Sequence, residues 1–476
     1  MTPLTRFQTS LDRPDLIEAL RAGIIGEGMM IDTPFGQKPL IYADYVASGR
    51  ALTVVEDFVR DAVLPYYANS HTEASFCGAA MTRMREEARD RIGAMVGADD
   101  GCSVVFTGAG ATAGLNRLVA LLDIGARAGR VVVLVGPYEH HSNLLPWRES
   151  GATVVEVAEG ADGGPDMADL QTQLDAAQDA ELIIGSFSAA SNVTGIVTDT
   201  DAVTRTLKRA GALAIWDYAG GGPYMPMDMR SGTDCAKDAI VFSAHKFPGG
   251  PGASGVMILR DRIAARHTPS QPGGGTVSFV SPWRHAYSNR LSTREEAGTP
   301  NVVGDIRAAL VMMVKAALGQ RWLDQRQATL RARALHRWRR HPRLELLGKM
   351  DVQALPIFAF RVRDGQGGYV HHQLFTRMLS DVSGIQARGG CACAGPYAHR
   401  LLGIERAESE ALFAALEAGE ELAKPGWVRL NLSALMTDAK ADFVIDCVER
   451  LAETATHHAV RYSVDAATAR FALRAA

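Results

Sequence analysis

The chain reads as an α/β protein: a large domain on a mostly parallel sheet, followed by a smaller C-terminal α/β domain. Three observations predict this. Between roughly residues 50 and 260, short apolar runs alternate with helical segments, the pattern of a sheet covered by helices. The length, 476 residues, exceeds what one ordinary core holds. A glycine-rich break at Gln271–Gly275 is followed by long helices and then a second strand–helix series.

In chain order, Asp57–Val63 and Met84–Val96 read as helices. Ser103–Thr107 reads as a strand, followed by a Gly/Ala turn and an apolar helix, Leu115–Leu122. Strands follow at Arg130–Val135, Thr153–Val157, Glu181–Phe187, Leu213–Asp217 and Ala239–Phe242. Asp305–Leu318 and Trp322–Trp338 read as long helices. The second series runs strand Pro356–Val362, helix His371–Ser380, short strand Ile385–Arg388, helix Glu408–Ala423, strand Trp427–Leu432 and helix Ala439–Glu453. We expect residues 1–40 to be an N-terminal segment packing on the small domain, 41–303 the large domain, and 304–476 the small one.

A hydrophobic content of 47% with 22% charged residues is that of a soluble globular chain. The formal net charge of −3 gives no reason to expect nucleic acid or an acidic membrane as partner. No apolar run has the length of a membrane span, and Met1–Gln8 lacks the apolar core of a secretion signal. Six cysteines in so long a chain do not make a disulfide framework, so a cytoplasmic location is expected. The basic run Arg326–Arg343 reads either as a nucleic-acid surface or as a solvated helix face; no nucleic-acid motif accompanies it.

The chemistry is carried by features at strand ends. The run Ala239–Phe242 is followed by Ser243-Ala-His245-Lys246 and a Gly/Pro-rich turn. An ammonium there is costly to desolvate unless it is paired or tied up as an imine. That points to a Schiff-base lysine holding pyridoxal 5′-phosphate (PLP); taken singly, Lys246 also reads as a lysine snorkelling at a strand end. Ser103–Asn116 reads as strand, glycine turn and helix, and with Ala111 and Thr112 it offers small residues and a helix N-terminus to a phosphate. Asp217 at the end of its strand would keep a pyridine nitrogen protonated, or else cap a helix. His140 would stack on a cofactor ring, or be a loop histidine bonded to backbone. Asn192 would donate to a ring oxygen, or make an Asx turn. In open α/β sheets this edge is where ligands bind.

These stretches together resemble class V aminotransferase-fold PLP enzymes, and within them the cysteine desulfurase and selenocysteine lyase branch. The resemblance runs from Tyr42-Ala-Asp-Tyr-Val-Ala-Ser48 to about Cys447. It implies the type I PLP-dependent transferase fold, with a seven-stranded sheet in the cofactor-binding large domain. In Glu139-His-His-Ser-Asn-Leu-Leu-Pro-Trp147 it makes His140 the stacking residue. Ser191-Asn-Val gives Asn192 as the ring-oxygen contact, and Trp216-Asp217 gives the partner of the ring nitrogen. Phe242-Ser-Ala-His-Lys246 gives phosphate contacts from Ser243 and His245 and the Schiff base at Lys246. Gly273-Gly-Gly-Thr276 and Glu296-Ala-Gly-Thr-Pro-Asn301 match two further blocks. The first implies a homodimer, with Thr276 reaching the neighbour's cofactor.

Ala387-Arg-Gly-Gly-Cys-Ala-Cys-Ala-Gly395 is similar to the desulfurase pattern Arg-Thr-Gly-His-His-Cys-Ala and places the sulfur-accepting cysteine on Cys393. A Gly/Ala-rich loop lets a thiolate reach a substrate sulfur, and Arg388 would lower its pKa. The other reading is that Cys391 and Cys393 are inert buried thiols. One Cys-x-Cys without a second ligand pair falls short of a zinc pattern, so no metal is expected. Arg429 in Trp427-Val-Arg-Leu-Asn431 matches the substrate-carboxylate arginine, with Arg388 and Asn192 beside it as substrate-binding candidates. The chain departs from the family at Gly220, where the desulfurases place a glutamine, at Ala111, where threonine is common, and at Cys391-Ala392, which replace two histidines.

The implied activity is removal of sulfur from L-cysteine, or an analogue such as selenocysteine, giving alanine and a Cys393 persulfide for a sulfur-acceptor protein. The alternatives keep the cofactor and change the reaction, to a C–S β-lyase, an aminotransferase or an epimerase, or drop the chemistry altogether for a binding protein on this fold.

Overall fold

The computed structural model describes residues 1–70, 73–127 and 130–474. Seven strands form the main sheet: Cys102–Gly108 (β1), Val131–Val135 (β2), Thr153–Glu156 (β3), Leu182–Ser188 (β4), Leu213–Asp217 (β5), Ala239–Ser243 (β6) and Gly255–Arg260 (β7). Their order is β1-β7-β6-β5-β4-β2-β3. All pairings are parallel except those of β7, which runs antiparallel to both neighbours. The carboxyl ends of the other six strands therefore share one edge. β4 to β6 are apolar almost throughout and buried on both faces, as a parallel sheet under helices requires. One face is filled by Val105, Leu115, Leu118, Ile184, Val241 and Met257.

The chain divides into two units. The first holds 1–25, 48–189 and 198–322; the second holds 26–47, 190–197 and 323–476. Both expected boundaries move. Residues 1–25 belong with the main sheet, because helix Pro3–Leu11 buries Leu4, Phe7 and Leu11 there. It is also bonded through Gln8 and Thr5 to Arg91 of helix Phe76–Met95 (α1). Helix Val302–Leu318 (α2) also stays in the first unit. It is buried nearly all round, and its Asp305 pairs with Arg85 of α1 at 2.7 Å.

The second unit has a smaller sheet of Leu344–Leu346 (β8), Ile357–Arg363 (β9), Arg388–Gly390 (β10) and Trp427–Asn431 (β11), ordered β8-β9-β11-β10. Its core gathers Trp338, Phe358, Phe360, Phe375, Leu430 and Val448. Arg326, Arg333 and Arg337 of the basic run are ion-paired with Asp438, Asp442 and Asp446, all on helix Asp438–Ala459. Those three arginines form a paired helix face. Among the described residues no helix is long and apolar enough to cross a membrane.

Candidate active site

In the first unit the site residues meet at the carboxyl edge of the sheet. β5 and β6 are neighbours, with Asp217 opposite Val241. Asp217 is buried and its carboxylate accepts from the Ala219 N–H at 2.7 Å. Burial pushes its pKa up, while that N–H and the positive charge of Lys246 pull it back down. Lys246 closes a single turn, Ala244–Lys246, directly after β6. The turn is tied to the rest of the unit by the Gly49 N–H, which donates to the His245 carbonyl at 2.9 Å. Burial, and secondarily the Lys246 charge, lower the pKa of His245, favouring a neutral imidazole.

The glycine turn after β1 packs against this corner. Gly108 and Gly110 have φ of +78° and +64°, the left-handed region that favours glycine. A Cβ on Gly110 would stand 2.7 Å from Ser243 Oγ and 3.0 Å from the His245 ring. Helix Gly110–Leu121 begins here, and its own N-cap residue, Ala109, makes no side-chain cap bond. The Ala111 N–H donates to Ser243 Oγ at 2.9 Å. The Thr112 hydroxyl meets Ser142 Oγ at 2.7 Å, and Ser142 Oγ lies 2.9 Å from His140 Nδ1. Ser142, which nothing in the sequence marked, thus links the helix N-terminus to the candidate stacking histidine.

Glu139 was quoted in the Glu-His-His stretch but given no role. It is buried and pins the loop after β2 to the end of β4. One oxygen accepts from the Gly136 and Ser188 N–H groups at 3.2 and 2.8 Å. The other accepts from Asn143 Nδ2 and Ser188 Oγ, each at 2.6 Å. Burial pushes its pKa up to about 7, with the Ser188 and Asn143 bonds opposing. A glutamine here would turn an amide toward donors on one side. Glu139→Gln is therefore expected to cost about 1–3 kcal/mol, read as a lowered midpoint in denaturant unfolding.

Thr276 is fully buried, and its hydroxyl donates to the Gly273 carbonyl at 2.7 Å. Glu296, in the second block of that region, is structural. It pairs with Arg85 at 2.5 Å and Arg89 at 2.7 Å, and accepts from the Phe106 N–H of β1 at 2.7 Å.

The second unit gathers the substrate-binding candidates. Arg388 and Arg429 are cross-strand partners on β10 and β11. Both bind one acid the sequence reading passed over: Arg388 Nε donates to Asp44 Oδ2 at 2.9 Å and Arg429 Nη2 to Asp44 Oδ1 at 2.7 Å. Asp44 is placed by the parallel pairing of Ile41–Tyr42 with Ile385–Gln386. It is further fixed by Asn431, whose Oδ1 accepts from the Val46 N–H at 3.2 Å. Arg429 is buried and also donates to the Asn192 carbonyl at 3.1 Å, whereas the Arg388 side chain is 48% exposed. Removing Asp44 strips a buried guanidinium of its counter-ion. Asp44→Ala is expected to cost about 3–5 kcal/mol in equilibrium unfolding.

Asn192 belongs to this unit too. Its Nδ2 donates to the Ala392 carbonyl at 2.9 Å, while its Oδ1 is buried without a hydrogen-bond partner among the described residues. The donor expected to face a ring oxygen is thus committed to the cysteine loop. That loop holds Cys391, partly exposed, and Cys393, exposed; neither is buried in a core. Arg388, expected to act on Cys393, shares its charge with Asp44.

The seven-stranded fold, with an amine, a buried acid and a glycine-lined helix N-terminus at the carboxyl ends of parallel strands, defines an α/β enzyme. The aminotransferase class-V family model matches residues 41–421, and the chain belongs to that family. Among its relatives, a probable cysteine desulfurase of Halalkalibacterium halodurans is 25% identical over 372 residues, covering 77% of this chain and 87% of that one. A cysteine desulfurase of an Enterobacter species is 29% identical over 363 residues, covering 75% and 85%. The apo structure of a cysteine desulfurase from Thermococcus onnurineus shares the fold. Its TM-score is 0.73 at 22% identity, covering 92% of this chain and 98% of that one.

Proposed function

We propose that this protein is a PLP-dependent cysteine desulfurase, taking sulfur from L-cysteine or a close analogue to give alanine and a persulfide on Cys393. The observation that carries the reading is the pair Lys246 and Asp217, an amine and a buried carboxylate at the ends of neighbouring strands, within electrostatic reach of each other.

The residues present fit the cofactor. A Cβ on Gly110 would close the space beside Ser243 and His245, and the helix behind it points its N-terminus there, where the Ala111 N–H already meets Ser243 Oγ. Asp217 is an acid whose burial is costly unless it meets a cation. Ser243, His245, Ala111 and Thr112 would hold the phosphate, His140 the ring face and Asp217 a proton at the ring nitrogen. When bound, PLP supplies an aldehyde for the amine of the substrate and a cationic ring that accepts an electron pair from it.

The chain's own groups do the rest. Arg429 and Arg388, fixed by Asp44, hold the substrate carboxylate; Arg388 turns only its Nε to Asp44. Lys246 Nζ carries protons to and from the substrate carbons. Cys393 Sγ attacks the substrate sulfur, and the C–S bonding pair stays with the carbon, which is protonated to alanine. Asn192 steadies the loop that carries the thiol.

The second reading, a C–S β-lyase, aminotransferase or epimerase, is favoured by Gly220 and by Cys391-Ala392 in place of the family's glutamine and histidines. Product analysis with L-cysteine decides. Alanine with sulfide supports desulfuration; pyruvate and ammonia support elimination; a keto acid formed only with an amino acceptor supports transamination. The reading includes a homodimer, checked by molar mass in solution, and a sulfur-acceptor protein. It includes a cytoplasmic location, in keeping with six free cysteines and checked by cell fractionation.

A further inference from the structure

The thiol pair of the cysteine loop supports a step beyond persulfide formation, one that rests on the desulfurase reading above. The Ala394 N–H donates to the Cys391 carbonyl at 3.2 Å. The two residues between, Ala392 and Cys393, have φ of +53° and +55°. Positive φ at both central positions of an i to i+3 turn is the signature of a type I′ turn. Glycine or asparagine would make it without strain, yet alanine and cysteine occupy it here. The turn is held from outside by Asn192, whose amide donates to the Ala392 carbonyl at 2.9 Å.

The consequence is a shorter backbone span between Cys391 and Cys393. Along an extended strand, residues two apart are separated by about 6.8 Å, the outer limit for a disulfide. A tight turn shortens that span. Both residues also reach solvent, Cys393 exposed and Cys391 in part, whereas Cys235 and Cys447 are buried. Cys391 stands where the desulfurase pattern has a histidine.

We propose that Cys391 is the resolving thiol for Cys393. Its thiolate attacks the inner sulfur of the Cys393 persulfide. The Cys391–Cys393 bond forms, the persulfide S–S bond breaks, and the outer sulfur leaves as hydrosulfide with the bonding pair. The Cys391 sulfur is oxidised and the departing sulfur is reduced by the same amount, while the Cys393 sulfur is unchanged, so no outside oxidant enters. The Cys391 proton is lost on forming the thiolate, and the hydrosulfide keeps the persulfide proton. A dithiol reductant then restores both thiols. The enzyme thus releases free hydrosulfide without an acceptor protein.

The test is mass analysis of the full-length, PLP-loaded enzyme after L-cysteine without reductant, with peptide mapping. Wild type should lose the mass of two hydrogens in the peptide spanning Cys391 and Cys393, with one hydrosulfide released per alanine. Cys391→Ser and Cys391→Ala should form the same first-turnover alanine but keep one added sulfur on Cys393, released only by dithiol. A wild type that stably holds that added sulfur, or a Cys391→Ser variant indistinguishable from wild type, overturns the proposal. So does first-turnover alanine lost in Cys391→Ser and kept in Cys393→Ser, which would exchange the two roles. Absence of alanine from every form would count against the desulfurase reading alone. Inorganic polysulfide, which loads exposed thiols without turnover, then tests the relay by the same masses. Disulfide in wild type with retained sulfur in Cys391→Ser supports it; retained sulfur in wild type overturns it.

Discussion

Lys246→Ala is expected to lower turnover of L-cysteine by at least about 10³-fold, the scale of losing a positioned proton carrier, and to end covalent attachment of the cofactor. Lys246 sits in the one turn that separates β6 from the Gly/Pro-rich loop, and its charge bears on both Asp217 and His245. Losing that charge removes one of the two influences that hold the buried Asp217 carboxyl down, so its pKa should rise further. Lys246→Arg separates the two effects. The guanidinium keeps the charge beside Asp217 but does not condense with an aldehyde, so activity should be lost there as well. Borohydride reduction and peptide mapping should find a pyridoxyl group on Lys246 in wild type and on no residue in either variant. Wild-type turnover in Lys246→Ala would remove the basis of the proposed function.

Strand positions were legible where an apolar run ended in a polar residue at the sheet edge. Leu213–Asp217 was read to the residue, because Asp217 ends the run. Helix Phe76–Met95 was read only from Met84, since Cys77-Gly-Ala-Ala80 offers no large apolar side chain to show a period. β7 escaped because it follows a Gly/Pro loop and runs against the parallel order. Helix Gly395–Leu402 escaped because it is short and starts with Gly-Pro, which reads as a turn.

The site divides in the same way. Lys246, Asp217, Ser243 and His245 were visible because short-range context marks them: strand, polar end, glycine turn. Asp44 was not, because its partners Arg388 and Arg429 lie 344 and 385 residues away. Glu139 and Ser142 act on groups that only the sheet brings near. Asn192 was found, but the acceptor of its amide, the Ala392 carbonyl, could not be, since a loop 200 residues on supplies it.

Cys393→Ala is expected to reduce alanine and sulfide formation from L-cysteine by about 10³-fold or more, while leaving the visible absorbance of the bound cofactor unchanged. The residue is exposed, so unfolding free energy should move by no more than about 0.5 kcal/mol. The backbone is the reason alanine is the right replacement. Residue 393 holds a φ of +55°, which glycine would relax and a β-branched residue would resist. Alanine keeps the strain as it is and removes only the sulfur. An intact cofactor spectrum with no alanine places the defect at sulfur transfer rather than at cofactor or substrate binding. Pyruvate and ammonia at wild-type rates in Cys393→Ala would instead mean that Lys246 alone expels the thiol and that the reaction is an elimination. Because Lys246 and Cys393 belong to different units, the two variants should fail differently. Lys246→Ala should lose the covalent cofactor, whereas Cys393→Ala should keep it and still exchange the substrate α-proton with solvent, read by deuterium entry into recovered L-cysteine.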